Sequence, residues 1–203
     1  MTKEIIDMTN CDYMRFGATD KSSLSATEYA LGLHCGVTFA GIKPSSLLVL
    51  KRDEFESVGF YAECFGKKGF RFEKLRDLEG GVLVLVFHSG KMEELLFDKE
   101  NKSFLEERGY FYQNVEGALE DLKAKITSGK FPHEIGIFLG YPLTDVKGFI
   151  ESPFEGVKMT GYWKVYEDAK NKAKLFERFK KCSDCICKKL LQGEKLAEIF
   201  NLS

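Results

Sequence analysis

The sequence predicts an α/β protein in which a layered mixed, mainly parallel sheet is flanked by helices and followed by a long C-terminal helix. Residues 82–87 (VLVLVF) and 134–139 (EIGIFL) are apolar at almost every position, which is typical of strands buried on both faces. Segments 115–126 and 168–192 place apolar residues three or four apart, as amphipathic helices do. Buried strands alternating with helices favour a sheet that is parallel at least in its centre.

Local signals predict the remaining elements. Ser25 and Glu28 have the spacing of a capping box, so we expect a helix to begin there. Repeats and Pro/Gly/Ser linkers are absent from the sequence, which indicates one domain over residues 1–203. Further strands are expected at 46–51, at 70–75 (antiparallel or at an edge) and at 159–166, and further helices from about residue 53 to Gly66 and at 194–200.

Composition and charge favour a cytoplasmic protein. The N-terminal residues MTKEIIDMTN lack an apolar signal sequence, and no stretch approaches the ~18 apolar residues of a membrane span. The six cysteines of this 203-residue chain are then expected to be free thiols. Net charge is −1, but residues 157–203 carry 11 Lys or Arg against 6 Asp or Glu, so this part is basic.

Three segments of the chain share a resemblance to one family. They are HCGVTFAGIKP (residues 34–44), GYPLTDVKGF (140–149) and GYWKVY (161–166). Together they resemble a family of uncharacterised proteins from anaerobic Gram-positive bacteria, known only as a domain of unknown function. The resemblance spans about residues 30–190 and implies no activity, cofactor or catalytic residue.

The residues themselves favour a site for a small anionic ligand at one edge of the predicted sheet. Parallel strands would bring their carboxyl ends, and the helix starts that follow them, to the same edge. Backbone N–H groups at helix starts are free to bind an anion. The ligand-binding candidates at this edge are Lys51, Arg52, His88, Ser89, Tyr141 and Asp145.

A cysteine-dependent hydrolase or thiol-transfer enzyme is the first alternative. Its nucleophile would be Cys35, because a thiol beside an imidazole can attack an acyl carbon. Adjacent His34 points about 100° away on the same helix, which leaves His133 as the candidate base. In a parallel sheet His133 would lie at the edge opposite to His88, where open α/β sheets seldom bind ligands.

An interaction protein that uses its basic C-terminal helix is the second alternative. The same helix carries Cys182, Cys185 and Cys187, which cannot converge as tetrahedral ligands on one straight helix, so we expect structural thiols and no metal site. The final residues 194–200 are too short and too acidic for a recognition helix, so we do not expect nucleic-acid binding. The sequence identifies no cofactor. Among the three functions it favours binding of a small anionic ligand or cofactor, with the other two as alternatives.

Overall fold

A three-stranded antiparallel sheet forms the centre of the fold. The computed structural model of the protein describes residues 25–128 and 131–202. Strands β1 (Ser45–Leu50), β2 (Phe70–Leu78) and β3 (Gly81–His88) lie in the order β1-β3-β2. Strand β3 is antiparallel to both neighbours.

Helices and one small hairpin make up the rest of the described structure. The hairpin joins β4 (Met159–Thr160) to β5 (Lys164–Val165). Within the described ranges, each helix is too short or too polar to cross a membrane. In chain order the helices are α1 (Ala26–Phe39), α2 (Arg52–Glu56), α3 (Gly59–Gly66), α4 (Ser89–Phe97), α5 (Lys99–Glu106), α6 (Val115–Thr127), α7 (Ile135–Phe138), α8 (Leu143–Glu151), α9 (Ala169–Leu191) and α10 (Leu196–Ile199).

Strand β3 is buried on both faces, as its continuous apolar sequence predicts. Alternate side chains of a strand point to opposite faces. Leu83, Leu85 and Phe87 pack with helices α4 to α8 on one face. Val82, Val84 and Val86 pack with α1, α3 and α9 on the other, so the sheet is the middle layer of three. The α/β class and the long C-terminal helix are confirmed.

Helices α1 and α9 approach closely because α1 has glycines where it faces α9. A Cβ added to Gly32 would lie 2.3 Å from Leu190 Cδ1, and one added to Gly36 would lie 2.8 Å from Ile186 Cδ1. The Ser25 hydroxyl accepts from the Glu28 backbone N–H at 3.0 Å and so caps α1, as predicted. The Glu28 carboxylate accepts from the Leu196 backbone N–H at 2.8 Å, which ties α1 to α10.

The prediction of a mainly parallel sheet is wrong, because β3 is antiparallel to β1 as well as to β2. Strands β2 and β3 form a hairpin. Only Glu79 and Gly80 separate them, and Leu78 pairs with Gly81 across the turn. A two-residue connection can join only antiparallel neighbours, since a parallel pair needs a crossover of a dozen residues or more. The sequence interpretation ended the first strand at residue 75 and so missed this connection. The prediction of an antiparallel or edge position for that strand is confirmed.

The predicted strand at 134–139 is a helical turn, α7. Its apolar residues are buried against α8, and Gly136 lies where an added Cβ would be 2.8 Å from Val146 Cγ2. A short apolar run has no periodicity that separates a buried strand from a buried helix. The expected strand over 159–166 is also corrected, because the chain turns at Gly161 and forms the β4–β5 hairpin. The N-terminal residues used to judge export lie outside the described ranges.

Candidate functional site

The antiparallel sheet separates the residues predicted to bind an anion. Lys51 and Arg52 follow β1 at the end where Leu50 pairs with Val82. His88 and Ser89 follow β3 at the other end, where Phe87 pairs with Ser45. The two groups therefore lie at opposite ends of the sheet, and the predicted single rim is not formed.

His88 acts as the cap of helix α4. Its Nδ1 accepts a hydrogen bond from the Lys91 backbone N–H at 3.4 Å, and its ring contacts Phe70 edge-on with centroids 5.2 Å apart. The Ser89 backbone N–H donates to the Gly69 carbonyl at 2.8 Å. These two residues thus have structural partners at the helix start, where the sequence interpretation expected free N–H groups for a ligand.

Lys51 and Arg52 also make local contacts. The Lys51 backbone N–H donates to the Glu54 carboxylate at 2.9 Å, which stabilises the start of α2. Arg52 forms an exposed ion pair with Asp77 at 3.8 Å, and exposed pairs of this kind contribute little to stability.

Asp145 is buried and connects helix α8 to the β4–β5 hairpin. One carboxylate oxygen accepts from Trp163 Nε1 at 2.7 Å. The other accepts from the backbone N–H groups of Tyr166 at 2.7 Å and Glu167 at 3.2 Å. Only 2% of the Asp145 surface is exposed, so its carboxylate serves as a structural hydrogen-bond acceptor. Its partners lie about twenty residues further along the chain, and no spacing in the sequence indicated these contacts.

Tyr141 belongs to the same arrangement. Its ring stacks on Trp163 with centroids 4.5 Å apart, and the Lys43 ammonium lies 5.7 Å from the Tyr141 centroid. Trp163 in turn contacts Phe176 of α9 edge-on at 4.6 Å. Through the hairpin, these contacts join the α1–β1 connection and the segment before α8 to α9.

Cys35 and His133 lie on opposite faces of the sheet. Cys35 is fully buried among residues of α1, β1 and α9, and this burial strongly raises the pKa of its thiol. His133 precedes α7, whose residues pack on the other face, and its ring contacts Phe149 at 5.0 Å. The proposed pair of nucleophile and base is therefore not brought together.

Helix α9 presents a basic surface along its exposed side. It carries eight Lys or Arg against two Asp or Glu, a formal charge of +6. At 3.6 residues per turn, five exposed cations fall within an arc of about 80° and extend over about 27 Å. We call these residues the basic face: Lys170, Lys174, Arg178, Lys181 and Lys188.

Most of the basic face is electrostatically uncompensated. Lys181 pairs with Glu177 at 2.7 Å. Among residues 25–128 and 131–202, the other four cations have no carboxylate within ion-pair distance. The sequence showed the basic composition of this segment, but only the burial of the opposite side establishes which cations face outward.

Comparison with known proteins identifies the family. A family model described as "Protein of unknown function (DUF3793)" matches residues 31–200. The chain belongs to this family. No curated protein and no solved structure gives a significant match.

In this DUF3793 chain, the three segments that carry the sequence resemblance meet at one place. Pro44 packs on Gly140, where an added Cβ would lie 2.3 Å from Pro44 Cγ and where φ is +74°. Helix residue Gly148 lies under the Tyr166 ring, with 2.5 Å from an added Cβ to Tyr166 Cγ. Together with the Asp145 contacts, this close packing gives these residues of the three segments a structural role.

Side chains that could bind a metal ion are dispersed in the described part of the DUF3793 domain. Across the two described ranges, no three His, Cys, Asp or Glu side chains converge as a ligand set. Cys187 is 1% exposed, whereas Cys185 is exposed and Cys182 is half-buried. The three thiols of α9 thus differ in accessibility.

Proposed function

We propose that this protein is an interaction protein that binds an acidic segment of a partner protein through the basic face of α9. The observation that carries the proposal is the concentration of positive charge on one helix. The whole chain has a formal net charge of −1 and α9 alone carries +6, so the remaining residues carry −7. A positively charged surface on an otherwise negatively charged protein attracts an acidic partner to that surface and orients it there.

Packing of its opposite side holds the helix with the basic face outward. Its opposite side contributes Phe176, Phe179, Ile186 and Leu190 to the core clusters. The closely packed glycines of α1 lie against the same side. Because the helix is already ordered, a partner gains the charge contacts without the cost of folding it.

A protein segment fits this surface better than a nucleic acid does. Glu177 and Asp184 are exposed on the same helix, between cations of the basic face, and would repel a continuous phosphate backbone that ran along it. Carboxylates on a short segment can instead match the spaced cations. A membrane surface is a poorer fit too, because the apolar side of α9 is already buried in the core.

The test uses charge reversal in the full chain and a fluorescein-labelled polyglutamate peptide as the probe. The test variant combines Lys170→Glu, Lys174→Glu and Arg178→Glu. The control variant makes the same change in net charge at exposed cations outside α9, namely Lys67→Glu, Lys99→Glu and Lys158→Glu. Binding is followed by fluorescence anisotropy at low salt and again at raised salt.

We expect the wild type and the control variant to bind the peptide and the α9 variant to bind about tenfold more weakly. Raised salt should weaken the binding of all three. Equal affinities for the two variants would overturn the proposal, because attraction would then depend on net charge alone. Tighter binding of duplex DNA than of the peptide, or self-association that the α9 variant abolishes, would also overturn it by identifying a different partner.

A further inference from the structure

Two thiols lie side by side on one flank of α9. Cys182 and Cys185 are three residues apart in an unbroken helix, which places their Cβ atoms about 5–6 Å apart. Cys185 is exposed and Cys182 is half-buried, so neither residue is enclosed in the core. Burial, and next the neighbouring Cys185 thiol, raise the pKa of Cys182. The two groups are close enough to influence each other.

The third cysteine of the helix does not share this position. Cys187 is buried on the core side of α9, 1% exposed, and burial raises the pKa of its thiol to about 11. An ion that reached the flank of the helix would therefore find two sulfur ligands.

We propose that Cys182 and Cys185 form a two-thiolate binding site for a soft monovalent metal ion, Cu(I). Thiolates are the ligands that Cu(I) prefers, and a d10 monovalent ion is satisfied by two of them in a line. Zinc instead requires about four ligands, and in the described part of the chain no third His, Cys, Asp or Glu joins the pair. The number and softness of the ligands thus favour Cu(I) over Zn²⁺. The sequence interpretation had expected structural thiols and no metal site.

The charge of the complex suits its surroundings. On binding, two S–H bonds break, two Cu–S bonds form and two protons pass to solvent, while copper stays in its +1 state. The resulting site carries a net charge of −1. Arg178 lies one turn before Cys182 and Lys188 lies three residues after Cys185, so exposed cations flank the anionic complex on both sides.

Competition with a chromophoric Cu(I) chelator under anaerobic, reducing conditions tests the site. The proteins are the wild type, Cys182→Ser, Cys185→Ser and the matched control Cys64→Ser, which changes a half-buried thiol on α3. We expect the wild type and Cys64→Ser to withdraw one equivalent of Cu(I) from the chelator. Each α9 variant should fail to do so while keeping the wild-type circular dichroism spectrum and melting temperature.

Several results would overturn this inference. Retention of one tightly bound Cu(I) by both α9 variants would place the ion elsewhere, as would its loss in Cys64→Ser. Failure of the wild type to compete with the chelator would show that the pair does not bind copper. Stoichiometric binding of Zn²⁺ that depends on both thiols would show that further ligands complete the site, contrary to two-coordinate binding.

Discussion

Trp163 donates its indole N–H to the Asp145 carboxylate at 2.7 Å, and this bond fastens the β4–β5 hairpin to helix α8. The same carboxylate accepts two backbone N–H groups from the end of the hairpin. Asp145→Ala would leave three donors without their acceptor, so we expect a loss of about 2–3 kcal/mol in the free energy of unfolding. Urea unfolding measures this loss.

The exposed Asp184, which pairs with Lys180, provides the control for that substitution. Asp184→Ala should cost less than about 0.5 kcal/mol, because surface ion pairs are weak. The chain has one tryptophan, so its indole N–H gives a single NMR resonance that should shift in Asp145→Ala. An Asp145→Ala protein as stable as wild type, with that resonance unmoved, would show that the carboxylate does not hold the hairpin.

Gly148→Ala tests the close packing between α8 and the hairpin. The added Cβ would lie 2.5 Å from Tyr166 Cγ, and the ring cannot move freely because its hydroxyl donates to the Ser152 carbonyl at 2.8 Å. Overpacking of this kind costs about 1–3 kcal/mol, more than the helix propensity that alanine gains. Thermal unfolding should show a lower melting temperature.

Gly66→Ala is the matched control, since Gly66 is also a helical glycine but no atom lies within 4 Å of its added Cβ. Its melting temperature should stay unchanged or rise slightly. If the two alanine variants had equal stabilities, contact with Tyr166 would not be the reason for a glycine at position 148.

The reactivity of the cysteines distinguishes a structural Cys35 from a nucleophile. Cys185 is exposed, whereas Cys35 and Cys187 are buried and burial raises the pKa of both thiols. Because the thiolate is the reactive form, iodoacetamide at neutral pH should modify Cys185 well before Cys35 or Cys187 in the native protein. Peptide mass spectrometry over a time course measures the order, and early modification of Cys35 would restore the hydrolase hypothesis.

Several elements could be predicted from the sequence because one physical signal dominated each of them. Strand β3 is apolar on both faces and is bounded by glycines, and helix α9 repeats apolar residues at helical spacing over twenty-three positions. The start of α1 has a serine whose hydroxyl caps it, as the sequence indicated. Local patterns of this kind need no knowledge of the partner element.

Strand direction and the site could not be predicted in the same way. Residues 134–139 have too few positions to show a period, and their conformation depends on α8 packing over Gly136. The direction of β2 depends on the turn at Gly80. The sequence indicates this two-residue turn only if the strand is taken to continue to Leu78. Because β3 is antiparallel to β1, Lys51 and His88 lie at opposite ends of the sheet. The predicted anion site required both residues at the same edge.

Mapping the peptide-binding surface by NMR tests the assignment of function to the basic face most directly. The full chain, labelled with nitrogen-15, is titrated with polyglutamate peptide while backbone amide shifts are recorded. We predict that the largest changes fall on α9 between Lys170 and Lys188, with little change at Lys51 or His88. Changes centred on Lys51 or His88, with α9 unaffected, would contradict the proposal.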